Sequence, residues 1–437
     1  MSAVASAGVT LAILGVAGSP LAWRLSRRRA ETAVLAPLLG AFFLAAAATV
    51  EVGIGGPPLA LAVVALVIGA VAPLLVRRAS NGSPHWAPEA VLLALPVAAV
   101  AVCLTTLRRT EIGWDGRSIW LFHARLINGG HALYVDRAQQ FPGLHSDYPP
   151  LVPAAIAFSW RVAGSSSYRT GQVILALLVG CATVLAGLSV ARVLRSRSWL
   201  APVAATLSVG LCFGVWDKYA TNGYADALSA ALVLAGAITC LLHRDRPPPA
   251  IGLALLVLAA WTKNEGLFFA ALVVALLAVE VVVSRTEVRA RLVRLLVTGA
   301  LMGPWLLVVR VQGLGAPFAG DPNSHQTQAY RAGQTIDALG HLVGLAAVGV
   351  VGLLVLAVVH GGPHRSRVGW FGLALIGWSL TLVGIYAFGP LEINKWLLTS
   401  LLRTSMVLRA GGLLAAVLAA GGAVQVLTSS RQPAAQT

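Results

Sequence analysis

The chain has 437 residues, of which 57% are hydrophobic and 11% charged, with a mean hydropathy of +0.80. A soluble domain carries roughly 25% charged residues, so this composition excludes a water-soluble globular fold and implies a polytopic membrane protein whose apolar runs reach the ~20 residues that cross hydrocarbon. The formal charge of +16 comes almost wholly from arginines scattered between those runs, a pattern of cytoplasmic loops rather than of a nucleic-acid-binding domain.

Apolar runs lie at roughly 4–22, 32–52, 57–76 and 88–107. The first lacks a basic stretch before it, and Arg24–Arg29 follow it, so it reads as a retained span with its N-terminus outside rather than a signal peptide. Further runs follow at roughly 170–190, 199–216, 222–242, 249–262, 267–284, 292–312, 336–359, 367–388 and 406–428. The expected fold is therefore all-α and polytopic, with about thirteen transmembrane helices and a large outer loop carrying interfacial helices. Alternation of sides puts the basic connections 24–29, 77–78, 192–198, 243–249, 284–294 and 364–367 in the cytoplasm, and the C-terminus with them, for a protein of the cytoplasmic membrane. Three units are expected: N-terminal helices over 1–87, a core over 88–312 and C-terminal helices over 313–428. A disordered cytoplasmic tail is expected over 429–437.

The longest connection, 108–169, is the stretch that carries chemistry. Between Glu111 and Pro153 it gathers Glu111, Asp115, Asp136 and Asp147 with Arg117, Arg125, Arg137 and His123, His131 and His145. A passive connector needs only a handful of residues, so a polar, aromatic loop of this length reads as an active-site loop. Inside it, Leu151–Ala163 is too short to span comfortably and is flanked by prolines; it is expected to lie at the interface or dip into the membrane. Of the sixteen acidic residues, eleven fall on the outer side by this topology: Glu51, Glu111, Asp115, Asp136, Asp147, Asp217, Asp226, Glu265, Asp321, Asp337 and Glu392.

Each candidate has a plainer alternative. Asp115, in GWDGRSIW just past a span, suits a general base at the membrane surface, and equally a helix cap. Arg117 and Arg125 suit an anionic head group. His145, Asp147 and Tyr148 in HSDYPPLVP offer stacking and hydrogen bonding to a sugar, or a plain proline-rich turn. Asp226 opens a span on the same side, as ligand or cap. Lys263 and Glu265 in WTKNEG form either a mutually neutralising pair or a lipid-phosphate contact. Lys395, Arg403 and Arg409 add positive charge near the last outer stretch, where snorkelling is the alternative. Trp114 and His123 complete the set assigned to substrate binding. Cys103, Cys181, Cys212 and Cys240 lie in apolar runs without CxxC spacing and read as small buried hydrophobes. No spacing demands a metal, although a divalent cation would find several carboxylates on the outer side.

Taken in order, WDGRSIWLFHARLINGG, DYPPLVPAAIAFSWRVAGSSSYR, GYADALSAAL and WTKNEGL resemble the GT-C class of integral-membrane glycosyltransferases, close to the bacterial dolichyl-phosphate-mannose protein mannosyltransferase-like branch. The resemblance covers roughly residues 88–405. It implies a polyprenyl-phosphate-linked sugar donor, a glycan, lipid or protein acceptor and transfer on the outer face. It also implies that Asp115 acts as base or orients the acceptor, that Asp226 is the acidic residue of a core span and that Lys263 meets the donor phosphate. The chain departs from many relatives in carrying Tyr148-Pro-Pro-Leu151 where they have Lys-Pro-Pro-Leu, and in a single carboxylate at Trp114-Asp115-Gly116. A transporter or flippase of a lipid-linked anion is the competing reading, with the same arginines lining a path.

Overall fold

The computed structural model describes all residues except 1, 27, 76–88, 142–144, 195–198, 243–248, 316–325, 361–363, 390–391 and 430–437. The described residues contain helices and connections and no strand. A helix satisfies its own backbone hydrogen bonds, which lipid cannot. The chain begins with α1 (Ala3–Ser26), α2 (Arg29–Ile54), α3 (Pro58–Leu75) and α4 (Glu89–Leu107). After a π-helical turn at Gly116–Leu121 come α5 (Phe122–Gly129), α6 (His131–Gln140) and α7 (Leu151–Ala163). The centre follows as α8 (Tyr168–Val193), α9 (Leu200–Trp216), α10 (Asp226–Leu241), α11 (Ala250–Ala260) and α12 (Asn264–Ser284). Next are α13 (Val288–Met302), α14 (Pro304–Gln312), α15 (Gln328–His360) and α16 (His364–Phe388). The last helical stretch is built from α17 (Ile393–Trp396), a second π-helical turn at Leu397–Leu401, α18 (Leu402–Thr404) and α19 (Met406–Ser429).

Each of the thirteen apolar runs is helical, and nine described helices are long and apolar enough to cross a membrane. The remaining four, 58–71, 91–107, 226–241 and 250–260, are shorter. At 1.5 Å per residue the last two extend about 24 and 17 Å, below the ~30 Å of a hydrocarbon core. They are not spans facing lipid. All sixteen residues of α10 are buried, and α8 is buried along its whole apolar window, so α8 and α10 form the centre of the bundle. Lipid-type surface lies outside them, on α3 and α12–α15, where Val64, Val283, Leu296, Leu307 and Leu345 are exposed. A helix apolar all round belongs inside; one with an exposed apolar face needs a hydrocarbon solvent.

Small residues let the first two helices approach closely, as is usual where lipid gives no hydrophobic drive for helix association. A Cβ on Gly40 would lie 2.2 Å from the Leu14 carbonyl oxygen, and one on Gly18 2.0 Å from that of Ala36. These N-terminal helices are tied to the centre: Arg192 of α8 pairs with Glu31 of α2, and the His131 ring Nδ1 lies 2.9 Å from the Val52 carbonyl.

α7, expected at the interface or dipping into the membrane, is enclosed by other helices. Leu151–Trp160 are all buried, and the helix packs against α1, α2, α5 and α8. Its entry is fixed by Pro149 and Pro150 and by the Leu151 N–H, which donates to the Trp261 carbonyl at 3.1 Å. Thirteen residues are too few to span, and α7 is sheltered by the longer helices around it.

Candidate functional site

Alternation along the chain brings the end of α4, the starts of α10, α12 and α19, and the turn before α7 to one end of the bundle. Hydrogen bonds lock these connections together. The Gln172 amide donates to the carbonyls of Thr110 (3.1 Å) and Thr221 (2.8 Å), and the Gly113 N–H donates to the Asn222 carbonyl at 2.9 Å. Gly113 must be glycine here, because a Cβ would lie 2.4 Å from the Tyr224 ring. Residues 110–116 are thereby held along 221–224, and Asp115 comes to rest beside Asp226.

From this frame a continuous charged network grows. The Asp115 N–H donates to the Tyr224 hydroxyl at 3.3 Å, and its carboxylate pairs with the Arg403 guanidinium. Arg403 lies over the Tyr224 ring at 4.8 Å and reaches the second Asp226 oxygen, Oδ2, at 3.6 Å. The first, Oδ1, accepts from Lys263 Nζ at 2.7 Å, and Lys263 also meets Glu265 at 3.0 Å. Lys263 is 6% exposed. Burial alone would push its ammonium down, but Asp226 and then Glu265 outweigh that and hold it well above the ordinary lysine value.

An aromatic wall stands beside the network. The Tyr148 ring stacks on His145 at 4.8 Å and on Trp120 at 5.3 Å, with Lys263 Nζ 5.7 Å from its centre. Burial, reinforced by Glu265, raises the Tyr148 hydroxyl well above its usual pKa. Next to it, Asp147 accepts from the Asn264 amide at 2.6 Å, and its own carbonyl accepts from Trp305 at 2.8 Å. Burial raises the Asp147 carboxyl, against the opposing charge of His145.

Asp226, Ser229, Lys263, Glu265, Trp378 and Arg403 line a narrow, half-open pocket. Several buried polar atoms around it have no hydrogen-bond partner: Asp226 Oδ2, Glu265 Oε2, Asp147 Oδ1 and the Trp378 indole N–H. Buried polar atoms normally find partners, so the site offers unused donors and acceptors to a bound molecule. Among the described residues no three His, Cys, Asp or Glu side chains are grouped to hold a metal ion. Lys263 and Arg403 occupy the space between the carboxylates that a divalent cation would need.

The structure brings together Asp115, His145, Asp147, Tyr148, Asp226, Lys263 and Glu265. Other sequence candidates lie apart. Trp114 is 67% exposed, and Arg117 turns back to the Ile112 carbonyl at 3.2 Å. Arg125 covers the Tyr168 ring at 4.7 Å. His123 is fully buried, its ring 5.9 Å from that of Tyr134. Lys395 is exposed on α17. Arg403, Tyr224, Trp120, Asn264 and Trp378 belong to the site without having been singled out for it. Of these, Arg403 left a signal, a cation near the last outer stretch, although one shared with Lys395 and Arg409.

No family model, curated protein or solved structure matches this chain.

Proposed function

We propose that this pocket transfers a sugar from a polyprenyl-phosphate donor to an acceptor hydroxyl at the surface of the membrane. The observation that carries the reading is the joining of Asp115, Asp226, Lys263 and Arg403, from four distant segments, in one network, with Asp226, Lys263 and Arg403 lining a pocket at the end of the membrane helices. A glycan, a lipid or a protein would serve as acceptor, because the pocket chemistry needs only a hydroxyl.

In a direct displacement the acceptor oxygen bonds to the anomeric carbon as the bond from that carbon to the phosphate oxygen breaks. The electron pair leaves with the polyprenyl phosphate, the hydroxyl proton passes to a carboxylate, and the anomeric centre inverts. Lys263 and Arg403 are the groups suited to the charge that grows on the leaving phosphate. Lys263 is already oriented by Asp226, so it requires little reorganisation. Asp115 is the base in this reading: as the donor phosphate draws Arg403, the carboxylate it held is released to accept the proton. Tyr148, His145 and Trp120 supply flat faces for a sugar ring, and the exposed apolar helix faces supply a surface for the polyprenyl chain.

The competing transporter reading expects charges near mid-membrane or broken spans in repeated halves. The network sits instead at helix ends, and the break at Gly303–Pro304 between α13 and α14 has no charged residue beside it. The deciding experiment is transfer of labelled sugar from polyprenyl phosphate in membranes, wild type beside Asp115→Asn. Label in a product with wild type alone upholds the reading. Equal transfer by both proteins removes Asp115 as base, and labelled lipid crossing liposomes without donor consumption replaces transfer by transport.

A further inference from the structure

We propose that a second site, at the opposite end of the bundle, binds the phosphate of an anionic phospholipid headgroup. α12 runs 21 residues from Asn264 to Ser284, about 31 Å at 1.5 Å per residue, which is roughly the thickness of a bilayer core. Its far end, with the start of α11 and the first turns of α13, borders a narrow groove lined by Leu253, Leu277, Val281, Leu295, Arg291 and Arg294.

An arginine buried among leucines and valines needs a reason. Arg291 is 2% exposed. Its guanidinium is fixed by Glu280 at 2.5 Å, Ser284 at 3.0 Å and Thr286 at 3.3 Å, yet its Nε–H is buried with no hydrogen-bond partner among the described residues. One turn along α13, Arg294 brings a second guanidinium to the same groove. The stretch 280–294 carries Arg285, Arg289, Arg291 and Arg294 against Glu280 and Glu287, a net charge of +2. A phosphate seated there would accept from the Arg291 Nε–H and neutralise Arg294.

A lipid is the source that fits the surroundings. Val282, Val283, Val293, Leu296 and Val297 leave apolar surface exposed on α12 and α13 beside the groove, where acyl chains would lie while the phosphate enters. Basic pockets between membrane helices bind anionic headgroups in this way. The site makes no use of the transfer chemistry at the other end.

The test is native mass spectrometry of the full-length protein in detergent, offered equal amounts of phosphatidylglycerol and phosphatidylcholine, with inorganic phosphate as a separate addition. Wild type is expected to retain phosphatidylglycerol preferentially. Arg294→Gln should lower that retention about fivefold, the effect of one basic side chain beside an anionic headgroup. Arg294 is exposed and its replacement leaves the Glu280–Arg291 pair intact, and Arg289→Gln, outside the groove, should leave retention unchanged. Equal retention of the two lipids, or equal losses in the two variants, would overturn the proposal. Occupation by inorganic phosphate with no preference between lipids would overturn the lipid source.

Discussion

The two ends of the bundle both carry buried charges, and they use them differently. At the far end a carboxylate meets a guanidinium in each of two tight pairs, Glu31 with Arg192 and Glu280 with Arg291, one cation to each carboxylate, with further hydrogen bonds from Ser26, Ser284 and Thr286. At the site end Asp115, Asp226 and Glu265 share Lys263 and Arg403, so three carboxylates lie on two cations, and carboxylate oxygens of Asp226 and Glu265 remain without hydrogen bonds. Pairs of the first kind staple neighbouring helices. An unevenly matched network costs stability to keep buried, and such groups in membrane proteins belong to function.

The largest effect should come from breaking the network at its centre. Lys263→Met strands Asp226 and Glu265, and about 3–5 kcal/mol of stability should be lost, read as a lowered thermal midpoint in detergent together with loss of sugar transfer. The sharper contrast lies in matched removals. Glu31→Gln with Arg192→Gln should recover most of the stability that Arg192→Gln alone loses, and folded protein should retain transfer at the wild-type rate. Asp226→Asn with Lys263→Met should recover stability in part and transfer not at all. Recovery of transfer in that double variant would erase the distinction between the ends.

A smaller effect is expected with pH. Burial holds the Asp147 carboxyl above its ordinary value, so the folded state prefers the protonated form. The stability this contributes is full below the ordinary carboxylate pKa of about 4 and is lost as pH rises through the higher folded value. Asp147→Asn should therefore gain thermal stability relative to wild type as pH is raised across that window. A difference that stays constant with pH would show that Asp147 does not titrate there. Smallest of all, His145→Ala removes one stacked face from Tyr148 and should cost about 1 kcal/mol or less in stability, with a larger fall in apparent donor affinity if that face holds sugar.

Much of the fold was legible because hydrocarbon imposes a length rule on helices. Every apolar run became a helix, but the rule says nothing of helices shorter than the bilayer that are sheltered by longer ones, which is why α7 looked interfacial and α10 and α11 looked like ordinary spans. The site was legible where a charge interrupts the end of an apolar run, as at Asp115, Asp226 and Lys263. Rotation about a helix axis was not. Arg403 and Lys395 stand eight residues apart on one helical stretch, and only packing reveals which of them faces Asp115. His123 has the polarity of a ligand in sequence, whereas amphipathic α5 turns it inward towards Tyr134.

The π-helical turn at Leu397–Leu401 bears on how far this protein tolerates length change. Such a turn holds one residue more than α-helical winding requires, and one residue corresponds to about 100° of rotation. Upstream of it Trp396 packs on Tyr386 at 4.7 Å, and downstream Arg403 pairs with Asp115. Deleting a single residue within the turn would let it relax to an ordinary α-helix with Trp396 and Arg403 still roughly in phase with their partners, whereas a deletion in the α-helical winding beyond it would rotate one contact away from the other. A one-residue deletion inside Leu397–Leu401 should therefore be tolerated better than the same deletion in α19, because only the π-helical turn has a residue to spare.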